Sequence, residues 1–213
     1  MKARVYAELA RIGKAVSTGA RIEILDLLAQ GPRTVESIAN EVRQSIANTS
    51  HHLQTLRRAG LVDSHKQGLH VSYRLASDDV ASFVVALRRL GHSHLDEVGE
   101  IIDELGAPGP VLDPDKLDEL VGDQGATFLD VRPRPEFESG HLPGAISIPV
   151  DELDQNLELL SKENTIVAYC RGPYCDMAAD AVDKLRNQGF RALRLELGVA
   201  DWRASRRAMD TSS

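Results

Sequence analysis

Cysteine is scarce in this sequence of 213 residues, which holds only Cys170 and Cys175. Two cysteines five positions apart do not make the disulfide framework of a small secreted domain, and cytosolic thiols are normally kept reduced. No apolar run approaches the roughly 18 residues of a membrane-spanning helix. The first ten residues also lack the pattern of a secretory signal peptide. We therefore expect a cytoplasmic protein.

Aromatic residues are also rare, at 4 % of the chain, so aliphatic side chains must fill the core. Apolar residues make up 42 % and charged residues 27 %, which is ordinary for a soluble globular protein. The length is sufficient for two small domains that each bury a core. Composition thus excludes fibrous, disordered and membrane-spanning classes.

Positive charge is concentrated in the first third of the chain. Residues 2–75 contain 11 Lys and Arg against 6 Asp and Glu, whereas residues 76–213 contain 14 against 26. A basic lobe on an acidic protein indicates an anionic partner for that lobe. The alternative is ordinary scattered surface charge.

A Gly- and Pro-rich stretch, Gly106–Asp115, divides the chain into two differently patterned parts. We expect an N-terminal domain over residues 1–105, a linker over 106–115 and a C-terminal domain over 116–213. The first domain is predicted to be mainly α and the second to be α/β with a parallel sheet.

Helical periodicity dominates the first part of the sequence. "ARIEILDLLA" ends at Gly31-Pro32, Thr34 is a predicted N-cap, and a further helix is predicted from Ser45 to Gly60. "LVDSHKQGLHVSYRLA" instead suits a β-hairpin with its turn at residues 66–68. Amphipathic helices are predicted over Tyr6–Val16 and, as one long element, over Asp78–Leu105.

Two helices followed by a hairpin is the order of a winged helix-turn-helix, whose second helix enters the major groove of DNA. Small polar residues at the start of that helix suit contacts with base edges and phosphates, while Leu53 and Leu56 are expected in the core. The candidate DNA-binding residues are Ser45, Ile46, Ala47, Asn48, Thr49, Ser50, His51, Gln54 and Arg57 on the helix and Lys66 and His70 on the wing.

The segments "ARIEILDLL", "SIANTSHHLQTLRRAGLVDS" and "GLHVSYRL" resemble the ArsR family of winged-helix repressors. The resemblance covers roughly residues 9–105. It implies a homodimer that pairs through the first and last helices of the domain and binds double-stranded operator DNA. Two amphipathic helices beyond the small core fit that role independently, because something must cover their apolar faces.

Metal sensing is the alternative function for this domain. Many ArsR relatives bind metals through a cysteine pair in the helix before the recognition helix, and "PRTVESIANEV" has none. A zinc site on the last helix would use His92, His94, Asp96 and Glu97. Because the two histidines are two positions apart, they do not share a helix face, and a solvated polar surface is favoured. We predict no metal site and no cofactor.

The second part of the chain alternates short apolar runs, such as "ATFLDV", "TIVAYC" and "RALRLE", with helical segments. Cys170 ends one predicted strand and precedes a helix beginning near Asp176. Loop amides at such a junction point at anions, so we expect an exposed thiolate with a lowered pKa. Arg171, Gly172, Tyr174 and Cys175 would supply the surrounding loop amides, and Arg171 a cation. The alternative is a buried, inert cysteine.

"FLDVRPRPEFESGHLPGAISIP", the Cys170 loop and "LELGVADW" resemble the rhodanese family, over about residues 112–207. The resemblance implies a persulfide on Cys170, formed from a small sulfur donor such as thiosulfate or a persulfide. Within the first motif we expect structural roles for Asp130, Arg132, Glu136 and His141. Cys175 is either a resolving thiol or simply the first buried residue of the next helix.

A Cys-dependent phosphatase shares this architecture, but it needs an arginine six positions after the cysteine. That position here is Asp176, so phosphate chemistry is disfavoured. The leading interpretation is a transcriptional regulator, by family analogy a repressor, whose rhodanese domain senses or transfers reactive sulfur. The alternatives are a sulfurtransferase that turns over and a zinc-type repressor with an idle rhodanese domain.

Overall fold

The computed structural model describes residues 1–67, 70–105, 109–113, 116–120, 125–205 and 209, with the backbone alone at 67, 70, 103–105 and 118. The chain divides into two compact units, Met1–Leu87 and Arg88–Ser213. The predicted linker lies partly outside the described residues, at 106–108 and 114–115. Within the described part of the chain, no helix is both long and apolar enough to cross a membrane.

The first unit is mainly helical and contains a small antiparallel sheet, as predicted. Its elements are α1 (Lys2–Ala15), α2 (Gly19–Leu28), β1 (Arg33–Thr34), α3 (Val35–Glu41), α4 (Ile46–Arg58), β2 (Val62–Gln67), β3 (His70–Leu75) and the start of α5 (Asp78–His94). The strand order is β1-β3-β2. Strands β2 and β3 form the predicted hairpin, with Val62 opposite Leu75 and Gln67 opposite His70. Of the predicted turn, Gly68 lies outside the described residues.

Local signals in the sequence set the helix ends of this unit. The Thr34 side chain accepts a hydrogen bond from the Ser37 N–H at 3.3 Å, and Ser45 accepts one from the Asn48 N–H at 3.2 Å. Both predicted helix starts are therefore confirmed. Gly60 ends α4 with φ of 73°, a conformation that glycine adopts without strain. Strand β1 was not predicted, because a segment of two residues is too short to show the alternating pattern of a strand.

The core of the first unit is aliphatic, as the scarcity of aromatics requires. Leu53 and Leu56 of α4 are completely buried, as predicted. They pack in one cluster with Ala15, Ile24, Leu25, Leu27, Leu28, Ile38, Val42, Leu61, Val62, Val80 and Val84. Helix α4 is thereby fixed by one face, which leaves its other face for contacts outside the domain.

The predicted continuous helix over residues 78–105 is wrong. The segment forms α5 (Asp78–His94) and α6 (Asp96–Leu105), separated at Leu95. The two acidic residues that begin α6 favour a helix N-terminus, and the two histidines in the last turn of α5 favour a C-terminus. Charge placement therefore marks a break that apolar periodicity alone does not reveal.

The second unit contains the predicted parallel sheet. Its further elements are α7 (Leu117–Leu120), β4 (Ala126–Asp130), α8 (Arg134–Ser139), β5 (Ile146–Ser147), β6 (Thr165–Tyr169), α9 (Met177–Asn187), β7 (Arg191–Leu195) and α10 (Val199–Ala204). The strand order is β5-β4-β6-β7, with every described pairing parallel. The two-residue strand β5 was not predicted.

Side chains alternate between the two faces of the sheet, as the period of a β-strand requires. Ile166 and Ala168 of β6 pack in one apolar cluster with Leu185 of α9, and this cluster also contains Cys170. Val167 and Tyr169 pack in a second cluster with Trp202 of α10. Strand β6 is therefore covered on both faces. Cys170, the residue that follows the strand, lies in the first of these apolar clusters.

Candidate functional site

The N-terminal part of helix α4 presents a polar surface. The structure leaves seven of the predicted DNA-binding residues exposed, namely Ser45, Ile46, Ala47, Asn48, His51, Gln54 and Arg57, and Ser50 half-buried. On the wing Lys66 is exposed, whereas the side chain of His70 lies outside the described residues. Amide, hydroxyl and imidazole groups on one exposed helix face are the groups that bind base edges and phosphates.

Thr49 does not belong to this surface, so its prediction as a DNA contact is wrong. It is completely buried, and its hydroxyl has no hydrogen-bond partner. The reason is helical geometry: Thr49 lies four residues before Leu53, on the face that packs into the core. A polar residue type alone does not show which face it occupies.

Neighbouring residues hold the helix in position against the wing and against α2. Arg57 donates a hydrogen bond to the Ser64 hydroxyl of β2 at 3.1 Å. Burial, together with the charge of Arg21 on α2 and nearby His51, lowers the pKa of His52. His52 is therefore a packing residue, while its neighbour His51 is exposed.

Two exposed residues of the turn before α4 were missed by the sequence reasoning. Arg43 adopts a left-handed backbone with φ of 51°, and Gln44 donates its N–H to the Ala39 carbonyl at 2.9 Å. This geometry is the tight turn of the helix-turn-helix. The position of the turn between two predicted helices was the available signal.

The second candidate site is the loop that follows strand β6. Cys170 leaves the carboxyl end of β6, which lies between β4 and β7, and helix α9 begins at Met177. Gly172 has φ of 135°, and the Cys175 N–H donates to its carbonyl at 3.2 Å, which closes a tight turn. The turn brings the two cysteines of the chain together. Ligands of open α/β sheets bind at this end of the strands.

Cys170 is not the exposed thiolate that the sequence predicts. Its exposed fraction is 2 %, it packs among apolar residues, and its Sγ donates a hydrogen bond to the Cys175 carbonyl at 3.4 Å. A hydrogen bond with the Cys175 thiol and burial raise the pKa of Cys170. The expected lowered pKa is therefore wrong for this residue, because the strand delivers it directly into the core.

Cys175 has the properties that the sequence assigned to Cys170. It is half-buried, and the hydrogen bond from Cys170 lowers its pKa to about 7, with further help from the N–H groups of Arg171 and Met177. The two thiols titrate as a coupled pair, in which burial disfavours the charged form of Cys170 and the half-buried Cys175 ionises more readily. Near neutral pH a substantial fraction of Cys175 is therefore thiolate.

Arg171 is bound to a buried carboxylate. Its Nε lies 3.1 Å from both carboxylate oxygens of Glu136, and its Nη2 lies 2.5 Å from Oε1. Glu136 is only 3 % exposed. This bidentate pair anchors the beginning of the cysteine loop to helix α8. Glu136 thus holds the loop, which agrees with its predicted structural role.

The other predicted structural residues lie at the end of β4 and after α8. Arg132 binds Asp130 with its backbone N–H and its guanidinium, at distances from 2.6 to 3.1 Å, and also donates to the Gly140 carbonyl. Both side chains of this ion pair are fully buried. His141 stacks on Phe137, with ring centroids 3.6 Å apart, and its Nδ1 donates to the Phe137 carbonyl.

A close contact between two backbone segments, one of them the cysteine loop, forms another boundary of the site. Gly198, in the "LELGVADW" motif, lies against the loop so closely that a Cβ atom there would overlap the Arg171 carbonyl and come within 2.7 Å of the Gly172 nitrogen. The Gly198 N–H donates to the Asp201 carboxylate at 3.0 Å. The position of this motif beside the cysteine loop carries no local signal in the sequence and was not predicted.

The proposed zinc ligands give no sign of a site in the described residues. His92, His94, Asp96 and Glu97 are all exposed, and they fall on both sides of the break at Leu95. Among the residues that the structure describes, no group of three or more His, Cys, Asp or Glu side chains is placed to hold a metal ion.

Comparison with known proteins matches each part of the chain to a family. Residues 113–205 match the rhodanese-like domain, and residues 18–64 match the family described as bacterial regulatory protein, arsR family. The HTH-type transcriptional regulator Rv0324 of Mycobacterium tuberculosis is 41 % identical over 203 residues, which cover 95 % of this chain and 90 % of the relative.

Two further relatives match the first part of the chain alone. The uncharacterized HTH-type transcriptional regulator Rv0081 of Mycobacterium tuberculosis is 31 % identical over 106 residues, or 49 % of this chain and 93 % of that protein. The solution structure of the homodimeric winged helix-turn-helix DNA-binding domain of Mb0332 from Mycobacterium bovis is 40 % identical. It covers 44 % of this chain and 87 % of its own, with a TM-score of 0.43. The two family matches and the 41 % identity to Rv0324 over 95 % of the sequence show that this chain belongs to the ArsR-type helix-turn-helix transcriptional regulators and carries a C-terminal rhodanese domain.

Proposed function

We propose that this regulator responds to reactive sulfur: a persulfide formed on its cysteine loop changes its affinity for operator DNA. The observation that carries the proposal is the position of both cysteines on one tight loop at the carboxyl end of β6 and ahead of α9, where the Cys170 Sγ lies 3.4 Å from the Cys175 carbonyl oxygen. A paired thiol and thiolate is the arrangement that accepts sulfur by exchange between S–S bonds.

The loop offers stabilisation for such a persulfide at Cys170. The N–H groups of Gly172 and Ala178 point at the Cys170 sulfur and favour negative charge there. Ala178 belongs to the first turn of α9, whose dipole also favours an anion. These donors support the assignment of Cys170 as the position that carries the sulfur, with Arg171, Gly172, Tyr174 and Cys175 as the surrounding loop.

The first unit supports the DNA-binding half of the proposal. Its exposed α4 surface is polar, and the segment is basic overall. Helix α1 exposes Val5, Tyr6 and Leu9 by 55 to 60 %, an apolar stripe that a single copy leaves uncovered. We propose that a second copy covers it, so that the regulator binds operator DNA as a homodimer and acts as a repressor.

The test is DNA binding before and after exposure to inorganic polysulfide. Mobility-shift assays with DNA from upstream of the regulator's own gene should give a dissociation constant that changes at least about tenfold for the wild type, or about 1.4 kcal/mol. A Cys170→Ser, Cys175→Ser double variant should bind the same DNA and not respond. An equal response of the double variant would overturn the proposal.

Catalytic sulfur transfer is a second candidate function. It is favoured by the half-buried position of Cys175, from which a sulfur atom could pass to an acceptor in solution. A sulfurtransferase of this kind would convert thiosulfate and cyanide to thiocyanate and sulfite. The expected product depends on the two cysteines of the loop, so the Cys170→Ser, Cys175→Ser double variant should form none. If the wild type forms no thiocyanate above the level of the double variant, the domain is a sensor and not an enzyme.

A further inference from the structure

The two thiols of the loop differ in access to solvent. Cys170 is 2 % exposed and lies in the apolar cluster with Ile166, Ala168 and Leu185, whereas Cys175 is half-buried at the edge of the same cluster. A sulfur donor in solution therefore meets Cys175 first.

The two thiols differ in charge as well. The S–H of Cys170 stabilises a thiolate at Cys175, whose pKa is about 7. A thiolate is the attacking form in exchange between S–S bonds, and a thiol is nearly inert. Solvent access and ionisation thus both favour Cys175 as the residue that reacts first with a sulfur donor.

We propose that Cys175 is the entry nucleophile, which takes a sulfur atom from the donor and passes it inward to Cys170. This inference deepens the proposed function and rests on it, because it assigns separate roles to the two cysteines of the same loop. The donors that fit are small persulfides and polysulfides, since their outer sulfur reaches a half-buried thiolate with little steric hindrance.

Both steps are exchanges that consume no oxidant or reductant. In the first, the Cys175 thiolate attacks the outer sulfur of the donor R–S–S–H. A new S–S bond forms on Cys175, the donor S–S bond breaks, and R–S⁻ leaves. In the second, Cys170 loses its proton to solvent, and its thiolate attacks the terminal sulfur of the Cys175 persulfide, which keeps the hydrogen that came from the donor. The Cys175 S–S bond breaks, Cys170 holds the persulfide, and Cys175 is again a thiolate.

The surroundings of Cys170 favour the second step. The N–H groups of Gly172 and Ala178 that point at its sulfur stabilise negative charge, and the apolar packing shields the bound sulfur from external thiols. A sulfur atom at Cys175 has less protection, because that residue is only half-buried. The loop thus has an accessible thiol at Cys175, which reacts with the donor, and a shielded thiol at Cys170, which retains the sulfur.

The experiment compares single-cysteine variants of the full chain, with inorganic hydrogen persulfide as the donor. Samples are quenched with iodoacetamide at short times, and mass spectrometry of the digested protein locates the added sulfur. Cys170→Ser, which keeps a hydrogen-bond donor at position 170, should take up one sulfur on Cys175 at close to the wild-type initial rate. Cys175→Ser should be at least about tenfold slower at pH 7, because little of an ordinary thiol is ionised there.

In the wild type, the added sulfur should appear on Cys175 first and on Cys170 later. Circular dichroism of each variant checks that it is folded. Uptake by Cys175→Ser at the wild-type rate, with Cys170→Ser inert, would overturn the proposal. A Cys170–Cys175 disulfide with release of sulfide as the main product would also overturn it, because the transfer step would not occur. If the wild type takes up no sulfur at all, it is the proposed function that fails.

Discussion

The backbone of Gly198 lies directly against the Arg171 carbonyl, with no space for a side chain between them. The contact joins the loop before α10 to the loop that holds the two cysteines. Gly198→Ala should displace the cysteine loop and lower the free energy of unfolding by about 1–3 kcal/mol, the usual range for overpacking. Urea unfolding followed by circular dichroism gives the change in stability, and the rate of Cys175 alkylation reports the displaced loop.

The matched control for that change is Gly19→Ala, at the first residue of helix α2, where an added Cβ meets nothing within 4 Å. Alanine is the better helix former by about 1 kcal/mol, so this variant should be as stable as the wild type or more so. Unchanged stability and alkylation in Gly198→Ala would contradict the close packing described here.

The buried ion pair between Asp130 and Arg132 should be far more important for stability than an exposed one nearby. Arg132→Ala leaves an unpaired carboxylate in the core, for which the expected cost is about 3–5 kcal/mol. Arg134→Ala removes the pair between Arg134 and Glu152, whose side chains are 55 % and 41 % exposed, so it should leave the stability almost unchanged. Thermal unfolding of the two variants provides the comparison, and similar losses would refute the difference in burial.

Alkylation of Cys175 should follow its ionisation. Since the hydrogen bond from Cys170 lowers the pKa of Cys175 to about 7, the iodoacetamide rate should rise with pH and reach half its maximum near pH 7. Cys170→Ala removes the donor and should move the midpoint upward, toward the usual value of about 8.5. Cys170→Ser keeps a donor, and its midpoint should stay closer to that of the wild type. An unchanged midpoint in Cys170→Ala would rule out the hydrogen bond as the cause.

The buried hydroxyl of Thr49 should be dispensable. It has no hydrogen-bond partner, so Thr49→Val replaces an unsatisfied polar group by an apolar one of similar shape. The free energy of unfolding should stay the same or rise by about 1 kcal/mol, and the affinity for DNA should not change. A clear loss of DNA affinity at unchanged stability would restore Thr49 as a DNA contact.

Asn48 should contribute directly to operator binding. It is exposed on α4, and an asparagine there reaches base edges, so Asn48→Ala should weaken specific binding by about 1–3 kcal/mol. Asn40→Ala is the control, because Asn40 is an exposed asparagine on α3. Binding isotherms on operator and unrelated DNA measure both effects. Equal affinities for the two variants would remove Asn48 from the recognition surface.

Where the sequence carries a periodic or capping signal, it predicted the structure well. The caps at Thr34 and Ser45, the hairpin and the parallel strands follow from local residue chemistry and are confirmed. The break at Leu95 was missed because apolar residues continue through it, and the decisive charges lie on either side.

The candidate site was predicted in the correct loop, but the lowered pKa was assigned to Cys170 instead of Cys175. A strand followed by a helix locates Cys170, yet its burial depends on tertiary packing that the sequence does not display. The hydrogen bond between the two thiols likewise arises from the turn at Gly172, which a spacing of five residues does not specify. The Gly198 contact joins distant segments and carries no local signal at all.

Trp202 is the single tryptophan of the chain, and it is 3 % exposed in the cluster with Tyr169 and Leu195. Its indole emission therefore comes from the rhodanese fold alone. The full-length protein thus has a built-in optical reporter in its rhodanese domain, so that indole emission follows the unfolding of that domain while ellipticity follows the chain as a whole.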